Sequence, residues 1–227
     1  PPLEQWTGNY PKPLNDNGSN GSDFTDRMKS VYGAARWSLT DDLSLITGAR
    51  VVDVKSDGTN YGQAKSSKNS GKVVPYAGIV YDITDQYSVY ASYTEIFTPQ
   101  TKNDVSGSRL APLEGVNYEA GIKGELFDDK VNVSLAVFRT EQDNFAEQAG
   151  MNGSVAYYRA IEGLTSEGYE LEFSGEPVDG LQLSAGYTFV DITNADGSHA
   201  VTYSPKHMIK TAATYRIPGM EKLKVGA

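Results

Sequence analysis

The chain has 227 residues, no Cys, and 29 acidic against 20 basic side chains, a formal net charge of −9. Without Cys there is no disulfide framework, no thiolate metal site and no thiol nucleophile. The acidic balance argues against a nucleic-acid partner, since phosphate neutralisation needs clustered Lys and Arg. In chain order, alternation of apolar and polar residues predicts strands at about 28–39, 43–55, 72–83, 87–97, 116–127, 130–142, 166–176, 181–192 and 206–217, with a tenth from 222. The clearest cases are Val131, Val133, Leu135 and Val137, and then Leu181, Leu183, Ala185, Tyr187 and Phe189. Tyr90 breaks the alternation of Val89, Ala91 and Tyr93. The best helical stretch, 110–120, is broken by Pro112 and Gly115.

Strand length and loop rhythm decide the architecture. Runs of roughly 10–14 residues exceed the soluble mode of about 5–6 and suit a tilted membrane strand of about 9–11. Short turns fall at Thr40-Asp41-Asp42, Thr84-Asp85-Gln86, Asp128-Asp129, Val178-Asp179-Gly180 and Pro218-Gly219-Met220-Glu221. Long polar loops are expected at 56–71, 98–115, 143–165 and 193–205. This rhythm predicts an all-β, antiparallel transmembrane barrel portion with short periplasmic turns and long extracellular loops. The interleaved face carries Glu119, Lys123, Glu125, Glu170, Glu172, Lys210 and Arg216 and would line a watery lumen. The apolar face would meet lipid. Trp37, Tyr81, Tyr87, Phe97, Phe127, Phe138, Phe173 and Tyr215 would form interfacial girdles, a use that suits 15 Tyr against 7 Phe. A mean hydropathy of −0.44 averages over both faces and hides this division. The alternatives are a smaller porin-like barrel and a soluble β-sandwich binding or adhesion domain. Their solvated faces would show the same charges.

The chain begins Pro1-Pro2-Leu3 and stops at Lys224-Val225-Gly226-Ala227, inside what reads as a starting strand. Both ends read as cuts in a longer chain. An open sheet in lipid leaves unpaired edges at high cost, so further strands are expected.

Four blocks carry a family resemblance. They are Tyr87-Ser-Val-Tyr-Ala-Ser-Tyr-Thr-Glu-Ile-Phe-Thr-Pro-Gln100, Leu113-Glu-Gly-Val-Asn-Tyr-Glu-Ala-Gly-Ile-Lys-Gly-Glu-Leu-Phe127, Tyr158-Arg-Ala-Ile-Glu-Gly-Leu-Thr-Ser-Glu-Gly-Tyr-Glu-Leu-Glu172, and Gly186-Tyr-Thr-Phe189 with Ser204-Pro-Lys-His207 and Tyr215-Arg-Ile-Pro-Gly219. In this order they resemble TonB-dependent ferric-siderophore receptors of the outer membrane, of the ferric-pyoverdine, coprogen–rhodotorulic acid and ferrioxamine kinds. The first 70 residues match only in style. The resemblance implies a fragment, residues 1–227, of a C-terminal barrel of about 22 strands. It places the chain at roughly the ninth to eighteenth strands and leaves the plug domain, the TonB box and the final strands outside it. It also implies a Gram-negative outer membrane, uptake of ferric siderophores energised by the TonB-ExbB-ExbD complex, and contact with the plug of the same chain and with lipid. No enzymatic role follows, because neither a Ser-His-Asp order nor a phosphate loop nor zinc spacing is present. No cofactor is expected, iron being carried inside its chelator.

Aromatic and Arg side chains suit an organic, anionic chelate. The candidates are Trp6 and Tyr10 near the N-terminus, Gln100 and Arg109 near the barrel mouth, Tyr157, Tyr158 and Arg159 beside the longest loop, and Tyr203 in the 193–205 loop. Five of them have a structural reading beside the functional one: loop packing for Trp6 and Tyr10, an upper girdle for Tyr157 and Tyr158, and a wall ion pair for Arg159. His207 reads as a structural hydrogen-bonding group. The Asp pairs at the short turns read as turn chemistry.

Overall fold

A computed structural model describes residues 21–227 apart from 129, 221 and 222. Its strands are β1 (Ser22–Ser38), β2 (Leu43–Asn60), β3 (Gln63–Thr84), β4 (Tyr87–Thr98), β5 (Leu113–Leu126), β6 (Val131–Asp143), β7 (Phe145–Asn152), β8 (Val155–Ile161), β9 (Leu164–Val178), β10 (Leu181–Thr193), β11 (His207–Arg216) and β12 (Lys224–Gly226). Ten form one sheet in the order β1-β2-β3-β4-β5-β6-β9-β10-β11-β12, and β7 pairs with β8 alone. Every pairing in the sheet is antiparallel. No helix occurs among the described residues.

The ten expected strands are the ten of this sheet. Two of the expected loops are different. Residues 56–71 are not a loop, because β2 and β3 pair almost continuously up to Asn60↔Gln63 and turn at Tyr61-Gly62. Residues 143–165 contain the β7–β8 hairpin, which turns at Gly153 with φ of 61°. Both segments rise above the apolar band, where each face of a strand meets polar surroundings. The two-fold hydropathy signal fades there although the hydrogen-bond ladder continues.

Register shows which side chains share a face. Trp37, Leu45 and Ile79 lie across β1–β3, and Ile79 faces Ala91 of β4. Val89, Ile122, Leu135 and Leu171 then continue the row across β4, β5, β6 and β9. No second sheet covers this row. Val31 is 77% exposed, Val137 57%, Leu171 51% and Ile209 74%. Soluble monomers rarely leave more than a few hundred Å² of contiguous apolar surface bare. A sandwich buries its apolar face under a partner sheet, and the β7–β8 pair is the only other sheet among the described residues. The face therefore belongs against hydrocarbon.

Two aromatic belts bound this band. At the short-turn end Trp37, Tyr81, Tyr87, Phe127 and Tyr215 are exposed, with Phe173 beside them. At the long-loop end the Tyr93 and Tyr118 rings lie 5.5 Å apart, Tyr169 and Phe189 5.4 Å, and Phe189 and His207 5.0 Å. This second belt was not foreseen as a group. His207 accepts or donates one bond at Tyr187 Oη, 2.8 Å away, which is the structural role expected of it. Two expected girdle residues and one band residue sit elsewhere. Phe97 is 4% exposed and packs with Val52, Val54 and Val74. Phe138 pairs across to Glu119 on the polar face, and its ring covers Gly168. Val131 is fully buried and so does not reach lipid.

The polar face borders an open hollow of about 870 Å³ near the short turns, whose mostly polar lining includes Asp82, Ser88, Lys123, Glu125, Ser134 and Glu172, with Tyr81, Ile83, Tyr87 and Val133 at its margin. Tyr90 breaks the alternation because it points into this face. Its hydroxyl donates to Glu119 at 2.5 Å, and Lys123 Nζ lies 4.8 Å from its ring centre. The Tyr90 ring also covers Gly121, just as the Tyr76 ring covers Gly48.

Candidate functional site

The strands deliver four segments to the long-loop end: the β2–β3 tip, residues 99–112, the β7–β8 hairpin and residues 194–206. Three of them enclose a cleft of about 370 Å³, bordered by Tyr61, Lys102, Asn103, Val155, Tyr157 and Tyr158. Tyr61 is held out at the hairpin tip with φ of 48°. Lys102 Nζ lies 4.7 Å from the Tyr158 ring centre and 3.4 Å from its hydroxyl, a cation–π contact joined to a hydrogen bond. The Tyr158 amide donates to Asn103 O at 2.9 Å and fastens the hairpin to the 99–112 loop. The cleft thus offers phenol rings, one ammonium and several amide groups, beside the Asp104 carboxylate, whose Oδ1 accepts from Ser106 and Ser108. Such a set recognises a large polar organic molecule with delocalised or anionic groups.

The expected site residues separate into groups. Tyr157 and Tyr158 border the cleft. Gln100 and Arg109 lie in the adjoining loop, but their polar atoms bond to protein. Gln100 Nε2 donates to Ala111 O and Asn144 O, both at 2.6 Å. Arg109 donates to Thr101 O and Asn103 Oδ1, and pairs with Asp26 at 3.4 Å. Arg159 pairs with Glu147 across the β7–β8 hairpin at 2.6 Å. Tyr203 is 83% exposed in the 194–206 loop and does not border the cleft. Trp6 and Tyr10 lie outside the described residues. Lys102, Tyr61 and Asn103 were not singled out by sequence reasoning. A lone Lys in a polar loop carries no local signal, and a Tyr-Gly turn reads only as a turn.

The two loops share one small motif. Asp104 N donates to Ser108 O and Gly107 N to Asp104 O, while Asn194 N donates to Ser198 O and Gly197 N to Asn194 O. Each motif is stiffened by an aspartate. Partial burial alone would raise the Asp104 carboxyl, but bonds from the Ser106 hydroxyl and the Ser108 and Ser106 amides hold it below the ordinary carboxylate range. Bonds from the Ser198 hydroxyl and amide do the same for Asp196. A depressed carboxyl contributes order above its unfolded pKa and loses it as pH falls through the folded value. Both loops should therefore be equally ordered from neutral pH down to about 4 and loosen below it. A nitroxide at Val105 should report that transition, and Asp104→Asn should abolish its pH dependence. Mobility at Val105 that is flat from pH 7 to 3 in the unsubstituted protein would rule this out.

A family model described as TonB dependent receptor-like, beta-barrel, matches residues 2–226. The chain is 41% identical over 232 residues to the ferric-pyoverdine BN7/BN8 receptor of Pseudomonas putida, covering 99% of this chain and 28% of that protein. It is 41% identical to the ferripyoverdine receptor of Pseudomonas aeruginosa, covering 97% of this chain and 28% of the relative. Among solved structures, the ferripyoverdine receptor of the Pseudomonas aeruginosa outer membrane bound to ferripyoverdine superposes with a TM-score of 0.73 at 40% identity, over 90% of this chain and 28% of that one. The alcaligin outer-membrane receptor of Bordetella pertussis matches with a TM-score of 0.73 at 35% identity, over 90% of this chain and 37% of that one. The chain therefore spans little more than a quarter of the length of the curated relatives it matches.

Proposed function

The chain belongs to the TonB-dependent receptor β-barrel family, and from that premise we propose that it forms part of the barrel wall of a ferric-siderophore receptor in a Gram-negative outer membrane. The observation that carries the reading is the 41% identity, over nearly the whole chain, to receptors whose ligand is ferric pyoverdine. Ferric pyoverdine is accordingly the first substrate to test. The uncovered apolar face supports the lipid setting, and the cleft of tyrosines and Lys102 supports recognition of the chelate at the long-loop end. Further strands of the same protein complete the wall beyond β1 and β12, the two ends of the strand order. A plug domain from the same protein fills the polar hollow, and the TonB-ExbB-ExbD complex supplies the energy. The role is transport without catalysis. The iron travels inside its chelator, so the receptor needs no resident cofactor.

Iron-limited growth on single siderophores tests this. Deleting the complete gene should abolish use of one ferric siderophore class and leave the others unchanged. Restoring it with Tyr158→Ala should weaken that ferric siderophore's binding by about 1–2 kcal/mol, the scale of one lost aromatic contact. Unchanged growth of the deletion strain on every siderophore tried would defeat the proposal.

A further inference from the structure

Arg109 does not border the cleft, yet its side chain holds both chain neighbours of Lys102, whose own carbonyl accepts from Leu110 N at 3.0 Å. Its guanidinium sits 4.1 Å from the Phe24 ring centre and 3.4 Å from the Asp26 carboxylate, both on β1. The same group donates back to Thr101 O and to Asn103 Oδ1, the two neighbours of Lys102 in the chain. The Arg109 side chain is only 10% exposed, while its partner Asp26 is 45% exposed, so the guanidinium is packed in place with its carboxylate partner still reaching water. One rigid fork thereby ties both neighbours of Lys102 to the barrel wall. Asn103 in turn receives the Tyr158 amide, and Lys102 reaches the Tyr158 ring and hydroxyl. A second strut runs from Asn60 Nδ2 to Gly107 O at 3.3 Å. Gly107 has φ of 76°, and a Cβ there would collide with the Asn60 amide. The loop is thus wedged between the β2–β3 tip and the β7–β8 hairpin, with Arg109 as its anchor.

The geometry points to Arg109 as the positioning residue of the cleft: it holds the 99–112 loop on β1 so that Lys102 and Tyr158 meet the ligand already arranged. This rests on the proposed siderophore reading for the ligand, but the loop geometry stands apart from it. The work needs the fork. A guanidinium bonds in several fixed directions within one plane and stacks on an aromatic face, whereas an ammonium is a point charge. Lysine at 109 keeps the charge and loses the arrangement.

The test uses the complete receptor with two readouts. Spin labels at Val105 and Met151, both exposed, report the ligand-free distance between the loop and the hairpin. Binding of a ferric siderophore is titrated on unlabelled protein. The expected result is a narrow distance distribution for the parent protein, with a broad one for both Arg109→Ala and Arg109→Lys. Affinity should fall about ten-fold in both variants, with the urea midpoint of the barrel unchanged. A narrow distribution with unchanged affinity in Arg109→Ala would overturn the proposal. So would lost affinity with a narrow distribution, which would make Arg109 a direct ligand contact. A parent-like Arg109→Lys would also overturn it, since charge alone would then suffice. If the parent receptor binds no ferric siderophore, the ligand reading falls, and the distance measurement alone decides whether Arg109 anchors the loop.

Discussion

Replacing Leu135 by Arg should destabilise the inserted protein by about 2–4 kcal/mol, the cost of a cation near the bilayer midplane. Replacing its neighbour Ser134 by Arg should change stability by no more than about 0.5 kcal/mol. Leu135 is 46% exposed and stands between Ile122 and Leu171, in the middle of the outward band. The outward face turns polar only at Arg139, which pairs with Glu167 at 2.5 Å and stands four residues, roughly 13 Å of strand, from 135. Ser134 points the other way. It sits between Lys123 and Glu172 and borders the polar hollow, and its hydroxyl is 3.5 Å from Glu172. An arginine there meets a carboxylate and water. Urea titration of the complete receptor folded into phospholipid vesicles measures both costs. Equal damage from the two substitutions would mean that both faces are dry, and the lipid–lumen division would be abandoned.

That division was legible in the sequence because hydrocarbon and lumen impose opposite polarity on successive residues. Val131 to Val137 and Leu181 to Phe189 alternate for that reason. Tyr90, an exception to the alternation, is explained by a lumenal partner, Glu119, 29 residues away. The signal ended where the solvent became the same on both sides. Residues 56–71 carry only Tyr61 and Ala64 as apolar side chains, and nothing in their pattern distinguishes a ladder from a loop, although β2 and β3 pair through them. The β7–β8 hairpin did leave a local mark, Gly153-Ser154, a glycine-first pair suited to a two-residue hairpin turn between Asn152 and Val155. The cleft was legible only in part. Tyr157 and Tyr158 stand out as adjacent aromatics, but their partner Lys102 is brought to them by a loop more than 50 residues upstream. The role of Arg109 depends on Asp26, a separation of 83 residues, and no local pattern records it.

Close approach of strands makes a second large effect depend on a single methyl group. Gly168 of β9 and Gly186 of β10 both lie on the lumenal face of neighbouring strands, and composition treats them alike. Their surroundings differ. A Cβ on Gly168 would lie 2.0 Å from Phe189 O and 2.7 Å from the Phe138 ring. The carbonyl belongs to the β9–β10 ladder, where Phe189 pairs with Tyr169, so it cannot yield without loosening that pairing. A Cβ on Gly186 would meet nothing within 4 Å. Gly168→Ala should therefore cost about 1–3 kcal/mol, the usual penalty of overpacking. Gly186→Ala should be neutral or gain a few tenths of a kcal/mol, because alanine has less chain entropy to lose. The same vesicle titration separates them. Spectroscopic probes should also place the damage in Gly168→Ala at the Tyr169–Phe189 pair of the upper aromatic belt, whose rings lie 5.4 Å apart. If the two alanine variants are equally stable, Phe138 does not pack over a bare backbone at 168. The lumenal aromatics would then be free side chains, and the sheet would owe them no part of its shape.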